Sequence, residues 1–297
     1  MPKGVRDLDA FLYLPELLFF YCKPLVNPYK TRFTGGFIMS QFNDRTGEKS
    51  ESKEGYSLEI IKYFNSGNVT LLVDNQHIFT GMSYWQFKTG SVVNPYHRGL
   101  CGVGFKGKGK YKSKIKYKMT PQYSAWCKMI ERCYDPEKQA ECPTYVGCSV
   151  CDDWHDFQVY AAWYDANIYQ VQGEKMHVDK DILVKGNKIY SPETCIFVPN
   201  KLNTLLSNKS SARGKYSIGV LKQKNRYSAM VSRRLLGGKS RHYLGSFENE
   251  KTAFVAYKEA KENIIKEVVN NYEGKIPEPY YTKLRNALYS YEVSPND

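Results

Sequence analysis

Apolar residues recur along this chain with two different periods. Between residues 55 and 93, Tyr56, Leu58, Ile60, Ile61 and Tyr63 make a first run, Val69 to Val73 a second, and Ile78 to Phe79 a third. Ser66-Gly67-Asn68 and Asp74-Asn75 lie between these runs as turn signals. Short strands joined by tight turns predict a small β unit. From Pro121 the spacing changes to three and four. Tyr123, Trp126, Cys127, Ile130 and Cys133 then share one helical face. Residues 134–150, with Pro136, Pro143 and Gly147, read as loop. A second helix is expected over 153–165, capped by Asp152 or Asp153, with Trp154, Phe157, Tyr160, Ala161 and Tyr164 as its buried stripe.

Residues 176–208 read as strand, turn, strand and helix. The first strand is Val178 to Val184, Lys185-Gly186-Asn187 turns it, and Ile189 to Val198 returns through a kink at Ser191-Pro192-Glu193. A short helix follows from Asn200 to Asn208. Residues 216–271 hold three strands, Tyr216 to Lys222, Tyr227 to Arg233 and Arg241 to Leu244, with turns at Lys224-Asn225 and Gly237-Gly238. A helix capped by Ser246 or Asn249 runs through Asn270, with Ala253, Phe254, Tyr257, Ala260, Ile264 and Val268 on its apolar face. In the middle strand Tyr227, Ala229 and Val231 alternate with Ser228, Met230 and Ser232. A three-stranded sheet packed on one helix leaves its other face free.

The predicted class is therefore α+β. A small N-terminal SH3-like β unit over 39–105 precedes a Lys-rich linker over 106–120, which is either extended or an edge strand. Helices plus a ββα unit occupy 121–210. The sheet-and-helix unit occupies 211–275, and 276–297 is a C-terminal tail. Residues 1–38 are an extension of uncertain role, and Met39 is as good an opening as Met1. A length of 297 residues suits two or three such domains. Aromatic residues at 14% exclude a disordered chain, and 22 glycines without a three-residue period exclude collagen. Eight cysteines are too few for a secreted disulfide scaffold, which points to a reducing cytoplasm. The longest apolar stretch, Ala10 to Cys22, contains Pro15 and Glu16 and is too short to span a bilayer. Asp7 and Asp9 stand where a signal peptide needs positive charge, so no membrane partner is expected.

Charge changes the picture most. The net charge is +13, yet residues 201–246 hold eleven Lys or Arg without an acid, and residues 106–118 hold seven Lys without an acid. The rest of the chain is net negative. Segregated basic blocks point to a polyanion, most often nucleic acid. A solvated basic surface is the plainer reading, and in 201–246 the aromatic and β-branched residues between the charges weigh against it.

Gly219-Val220, Tyr227-Ser-Ala229-Met-Val231, Leu244-Gly245-Ser-Phe247 and Thr252-Ala253-Phe254 with Ala256-Tyr257 follow one another in an order and spacing that resembles the AP2-type DNA-binding domain, over about fifty residues. That resemblance implies a three-stranded sheet in the major groove of double-stranded DNA, a groove wide enough for a β-ribbon. It would aim Ser228, Met230 and Ser232 at bases. It would place Lys222, Lys224, Arg226, Arg233, Arg234 and Arg241 at phosphates, which position rather than specify. Arginine is missing at several base-facing positions, so strong sequence specificity is not implied.

His177-Val-Asp179-Lys180-Asp181-Ile182, the turn at Asn187, Thr194 to Val198 and Asn200-x-x-Asn203 are similar to the ββα unit of HNH endonucleases, in phage-type proteins that join it to an AP2 domain. The resemblance implies catalytic positions at His177, Asp179, Lys180 and Asn203 and a divalent metal, Mg or Mn. Lys180 replaces the general base. An amine of pKa about 10.4 is protonated at neutral pH and accepts no proton. Asn203 is a weaker, neutral ligand. His177, three residues before Lys180, should point to the other face of a strand. The expected outcome is a retained scaffold with impaired hydrolysis. Cys148-x-x-Cys151 with Cys133 has the spacing of half a structural zinc site, although buried thiols are favoured over zinc.

These readings combine as a phage-type DNA-binding protein of the bacterial host cytoplasm. The alternatives are a counter-defence inhibitor that blocks a host defence nuclease, and an active metal-dependent HNH endonuclease.

Overall fold

Alternation of buried and exposed positions builds the first sheet. The structure, a computed structural model, describes residues 43–206 and 215–296. The extension over 1–38, the choice of Met39 and the basic residues of 207–214 lie outside the described residues. From Arg45 onward the chain forms one unit. Strands β1 (Lys49–Glu51), β2 (Ser57–Asn65), β3 (Asn68–Val73) and β4 (His77–Met82) form an antiparallel meander in that order. Leu58, Ile60, Val69, Leu71, Val73 and Phe79 turn inward, and Phe87 of helix α1 (Tyr84–Lys88) closes over them. Ser83 and Gln86 exchange the two hydrogen bonds that start α1.

The Lys-rich segment is not a free linker. The side chain of Gln158 accepts from Tyr111 N at 3.0 Å and donates to Lys106 O at 3.2 Å and Tyr111 O at 3.0 Å. Gly107 and Gly109 permit this approach, because a Cβ on either would overlap Asp156 or Gln158. The segment then forms a two-stranded hairpin, β5 (Lys114–Ile115) and β6 (Lys118–Met119).

Helix α2 (Pro121–Tyr134) starts where Thr120 caps it and Pro121 fills the first position. The region expected to be loop holds a short helix, α3 (Pro136–Glu141), a 3-10 turn at Pro143–Tyr145 and β7 (Ser149–Val150). The second aromatic helix starts later than expected. Residues Asp152–His155 form a 3-10 turn, and α4 (Phe157–Asn167) is capped by Asp156, whose carboxylate accepts from Gln158 N at 2.7 Å. Trp126, Trp154, Phe157 and Tyr160 are the interior of this region, and Trp126 Nε1 donates to Trp154 O at 2.7 Å.

The ββα unit is cut differently from its sequence reading. Strand β8 is Met176–Asp179, because Asp179 Oδ1 accepts from the backbone N–H groups of Asp181 and Ile182 and bends the chain out of line. The expected return strand splits in two. Its first part, β9 (Ile189–Tyr190), pairs in parallel with β7, and its second, β10 (Ile196–Pro199), pairs antiparallel with β8. Helix α5 (Asn200–Leu206) follows.

The C-terminal sheet has the order β11 (Val220–Gln223), β12 (Arg226–Val231), β13 (His242–Phe247), and is backed by α6 (Glu250–Asn270), capped by Asn249. Small residues set the helix–sheet distance, with Ala229 and Ala253 both fully buried. The expected tail is instead helix α7 (Tyr280–Tyr289), which lays Tyr281, Leu284 and Leu288 into the core. One hydrophobic cluster runs from Ile196 and Leu202 through Ala229 and Ile265 to Leu284, so the ββα unit and the C-terminal unit share an interior. The carbonyl of Leu205 at the end of α5 accepts from Lys261 of α6 at 2.8 Å, a cation on a helix C-terminus. No helix among the described residues is long and apolar enough to cross a membrane.

Candidate functional site

Two surfaces gather the residues that the sequence singled out. The first is the sheet face turned away from α6. A tight turn with Lys224 at φ 54° joins β11 to β12. Pairing of Ala229 with Gly245 and of Met230 with Tyr243 leaves Leu244 as a bulge in β13. The bulge brings Tyr243 onto the face of Met230. Leu221 pairs with Ser228 and joins the same face. Leu221 and Tyr243 are 49% and 57% exposed on this face. Sequence reading missed both residues. The period-two pattern held a signal for Leu221, and Gly245, at φ 143° beside the bulge that aims Tyr243, is its mark in the sequence.

The cationic side chains divide. Lys222, Lys224, Arg226, Arg234 and Arg241 are exposed, and none of them pairs with a carboxylate among the described residues. Arg226 is held in place, with Nε donating to Ser246 Oγ at 3.0 Å and Nη2 to Ser246 O at 2.9 Å. The Lys222 amine lies over the Tyr227 ring at 5.6 Å. Arg233 is different. It donates to Glu267 of α6 at 3.2 Å, so it belongs with the helix and not with the open face. Ser228 is also corrected. It lies on the open face but is 1% exposed, with its hydroxyl donating to Gln223 Oε1 at 3.1 Å. Gln223 would have to move before Ser228 could meet a base. Met230 is half-buried and Ser232 exposed.

The second surface is a cleft of about 380 Å³ that brings His177, Asp179, Lys180 and Asn203 together with Arg132 and Tyr190. His177 and Lys180 both line this cleft, and β8 ends at Asp179, so the strand alternation expected to separate them stops before Lys180. Lys180 is 7% exposed, and its amine donates to Asp181 Oδ2 and Asn187 O, both at 2.9 Å. Burial by itself would lower this amine, but the hydrogen bond and charge of Asp181 outweigh it and the net direction is up. Lys180 is therefore a protonated structural cation. His177 moves the other way, lowered by burial and then by Arg132, Lys175 and Lys128, so its ring is neutral at neutral pH.

Asp179 is pushed up to about 6 by burial and then by the neighbouring Asp181 charge. A carboxyl whose folded pKa exceeds its unfolded value gives its stabilisation below the unfolded pKa and loses it as pH rises toward 6. Asp179→Asn keeps the Oδ1 acceptor of the turn and removes the charge. It should raise stability at pH 8 by about 1–2 kcal/mol and leave it nearly unchanged at pH 3.5. Thermal melts at the two pH values check this, and a loss at pH 8 would show that the ionised form is the favoured one.

Among the described residues no group of three or more His, Cys, Asp or Glu stands where it could hold a metal ion. In the cleft Asp181 is bound to Lys180, and Asp179 Oδ1 is taken by two backbone N–H groups. Cys133, Cys148 and Cys151 are free thiols. The Cys133 thiol is pushed up to about 12 by burial and then by Cys148. No family model, no curated protein and no solved structure matches this chain.

Proposed function

We propose that the chain binds double-stranded DNA across the open face of β11–β13, with the ββα unit serving as contact surface and not as a nuclease. The observation that carries this reading is the open face itself. By strand alternation Arg226 shares this face with exposed Leu221 and Tyr243, Lys224 stands in the β11–β12 turn, and exposed Arg234 and Arg241 lie in the β12–β13 connection, all without carboxylate partners among the described residues, on a sheet whose opposite side is fixed by α6. A sheet of this width fits the major groove, and lysine and arginine at its turn and edges suit phosphates. With Ser228 buried, few hydrogen-bonding groups are left to read base edges, and weak sequence preference follows. Protonated Lys180 accepts no proton, which supports impaired hydrolysis, and neutral His177 in the same cleft would have to serve as the base if any cleavage occurs.

Salt titration of a fluorescent duplex tests the reading. With about six phosphate contacts, affinity should fall roughly a thousandfold between 50 and 200 mM salt. The triple variant Arg226→Gln, Arg234→Gln, Arg241→Gln should flatten the log–log slope by about 2.7. A flat response in the unaltered protein would overturn the proposal. Supercoiled plasmid incubated with Mg²⁺ or Mn²⁺ should stay intact. Nicking that disappears in Asp179→Ala would restore the endonuclease reading.

A further inference from the structure

The hairpin β5–β6 packs on no core. Tyr117 at its tip is 99% exposed, and Ile115 and Met119 are 59% and 47% exposed. The register pairs Lys114 with Met119 and Ile115 with Lys118, so each face of the ribbon carries one apolar side chain and one amine. Both loop residues have positive φ, 45° at Lys116 and 65° at Tyr117. A two-residue turn of this kind favours Asn-Gly, and a bulky residue there is an outlier. The chain thus holds a lysine and a tyrosine at a tip where local stability alone would select small residues. The root is firm. Thr120 Oγ1 donates to Lys112 O at 2.9 Å, Thr120 N donates to Ser113 O at 3.0 Å, and the same side chain caps α2.

An exposed two-stranded ribbon gains little from its own chain, and such hairpins are marginal alone. Charge indicates what covers it. All seven lysines between 106 and 118 are exposed, and none forms an ion pair among the described residues. The fitting partner is a polyanion that also offers flat apolar surface, and stacked bases between phosphate rows have that chemistry.

We infer that the β5–β6 hairpin is a second DNA-contact element, in which Lys114, Lys116 and Lys118 hold phosphates and Tyr117 enters the base stack. Apolar side chains that wedge between base steps act in this way elsewhere. The inference rests on the DNA reading of the C-terminal sheet, and the test separates the two. The full chain is titrated with one labelled duplex across salt concentrations. Lys114→Gln, Lys116→Gln, Lys118→Gln together should reduce the salt slope by about 2.7. Tyr117→Ala should weaken binding about tenfold with an unchanged slope, as loss of one stacking contact predicts, and Tyr117→Phe should restore it. If the hairpin variants bind like the unaltered protein while the Arg226, Arg234, Arg241 variant loses slope, the hairpin proposal falls and the sheet reading stands. If only the hairpin lysine variant loses slope, the sheet reading falls and the hairpin stands. Binding of phosphatidylserine vesicles that is lost in the lysine variant, with DNA binding untouched, would assign the hairpin to an anionic membrane surface and overturn the inference.

Discussion

Gly219→Ala should destabilise the C-terminal unit by about 2–5 kcal/mol, and it should do so through two separable causes. Gly219 has φ 75°, a left-handed conformation that costs other residues about 1–2 kcal/mol. A Cβ at this position would also fall within the ring of Tyr257, which α6 presses against the start of β11. Tyr257 is 6% exposed and has no room to retreat. Gly237 provides the control, with the same φ of 75° and nothing within 4 Å of the added Cβ. Gly237→Ala should cost only about 1 kcal/mol, so the difference between the two variants in urea unfolding measures the steric part. Equal losses would mean that the close approach of helix and sheet is not what this glycine serves. The carbonyl of Gly219 accepts from Met230 N at 2.9 Å, so displacing it also disturbs the strand that carries the open face. DNA affinity should therefore fall with stability in Gly219→Ala and not in Gly237→Ala.

The same contacts explain why the C-terminal unit was legible in the sequence. Gly219, Ala229, Ala253 and Tyr257 are all helix-against-sheet positions, and their spacing encodes a packing distance. A packing pattern persists in sequence because each residue acts locally through its own size. It speaks for a fold and is silent on what the free face touches. The α2 stripe was legible for a similar reason, since Trp126, Ile130 and Cys133 lie one helical turn apart and all face inward.

Elsewhere the decisive interactions were long-range or depended on backbone hydrogen bonds. The segment from Val178 to Val184 reads as a strand until Asp179 spends its carboxylate on two backbone N–H groups. The split of the return strand depends on β7, forty residues away. Lysine at alternate positions suggested a solvated linker. The hydrogen bonds that fix it come from Gln158, whose amide reaches segment 106–111 only because two glycines let it approach. In the cleft, Tyr190 joined the four motif residues without any motif of its own. The bulge that turns Tyr243 outward is marked only by Gly245, whose φ of 143° lies inside β13, and a glycine does not say which neighbour it re-aims. The α7 helix was different, because Tyr281, Leu284 and Leu288 have helical spacing that was there to be read.

That helix supplies the second large effect. Leu284→Ala should cost about 2–5 kcal/mol, the range for a fully enclosed leucine whose surroundings relax only in part. Leu284 is 0% exposed and belongs to the cluster that also holds Ala229, Ile265 and Leu202. The chain beyond α7 adds ties that a dangling tail would not have. Pro295 O accepts from Ile218 N at 3.1 Å, just ahead of β11, and Lys185 of the ββα unit donates to Glu292 O at 2.6 Å. Val293 N donates to Glu262 Oε1 of α6 at 2.9 Å. The C-terminal residues thus fasten both halves of the shared core. Thermal unfolding should show the Leu284→Ala loss as one transition moved down by several degrees, with the ββα unit and the sheet melting together. Lys283→Ala, one residue away and exposed, should change stability by less than about 0.5 kcal/mol. An unchanged midpoint in Leu284→Ala would mean that α7 lies on the surface. Two resolved transitions would mean that the ββα unit and the C-terminal sheet keep separate cores, and in that case the cleft around Lys180 and the open sheet face would have to be treated as independent devices.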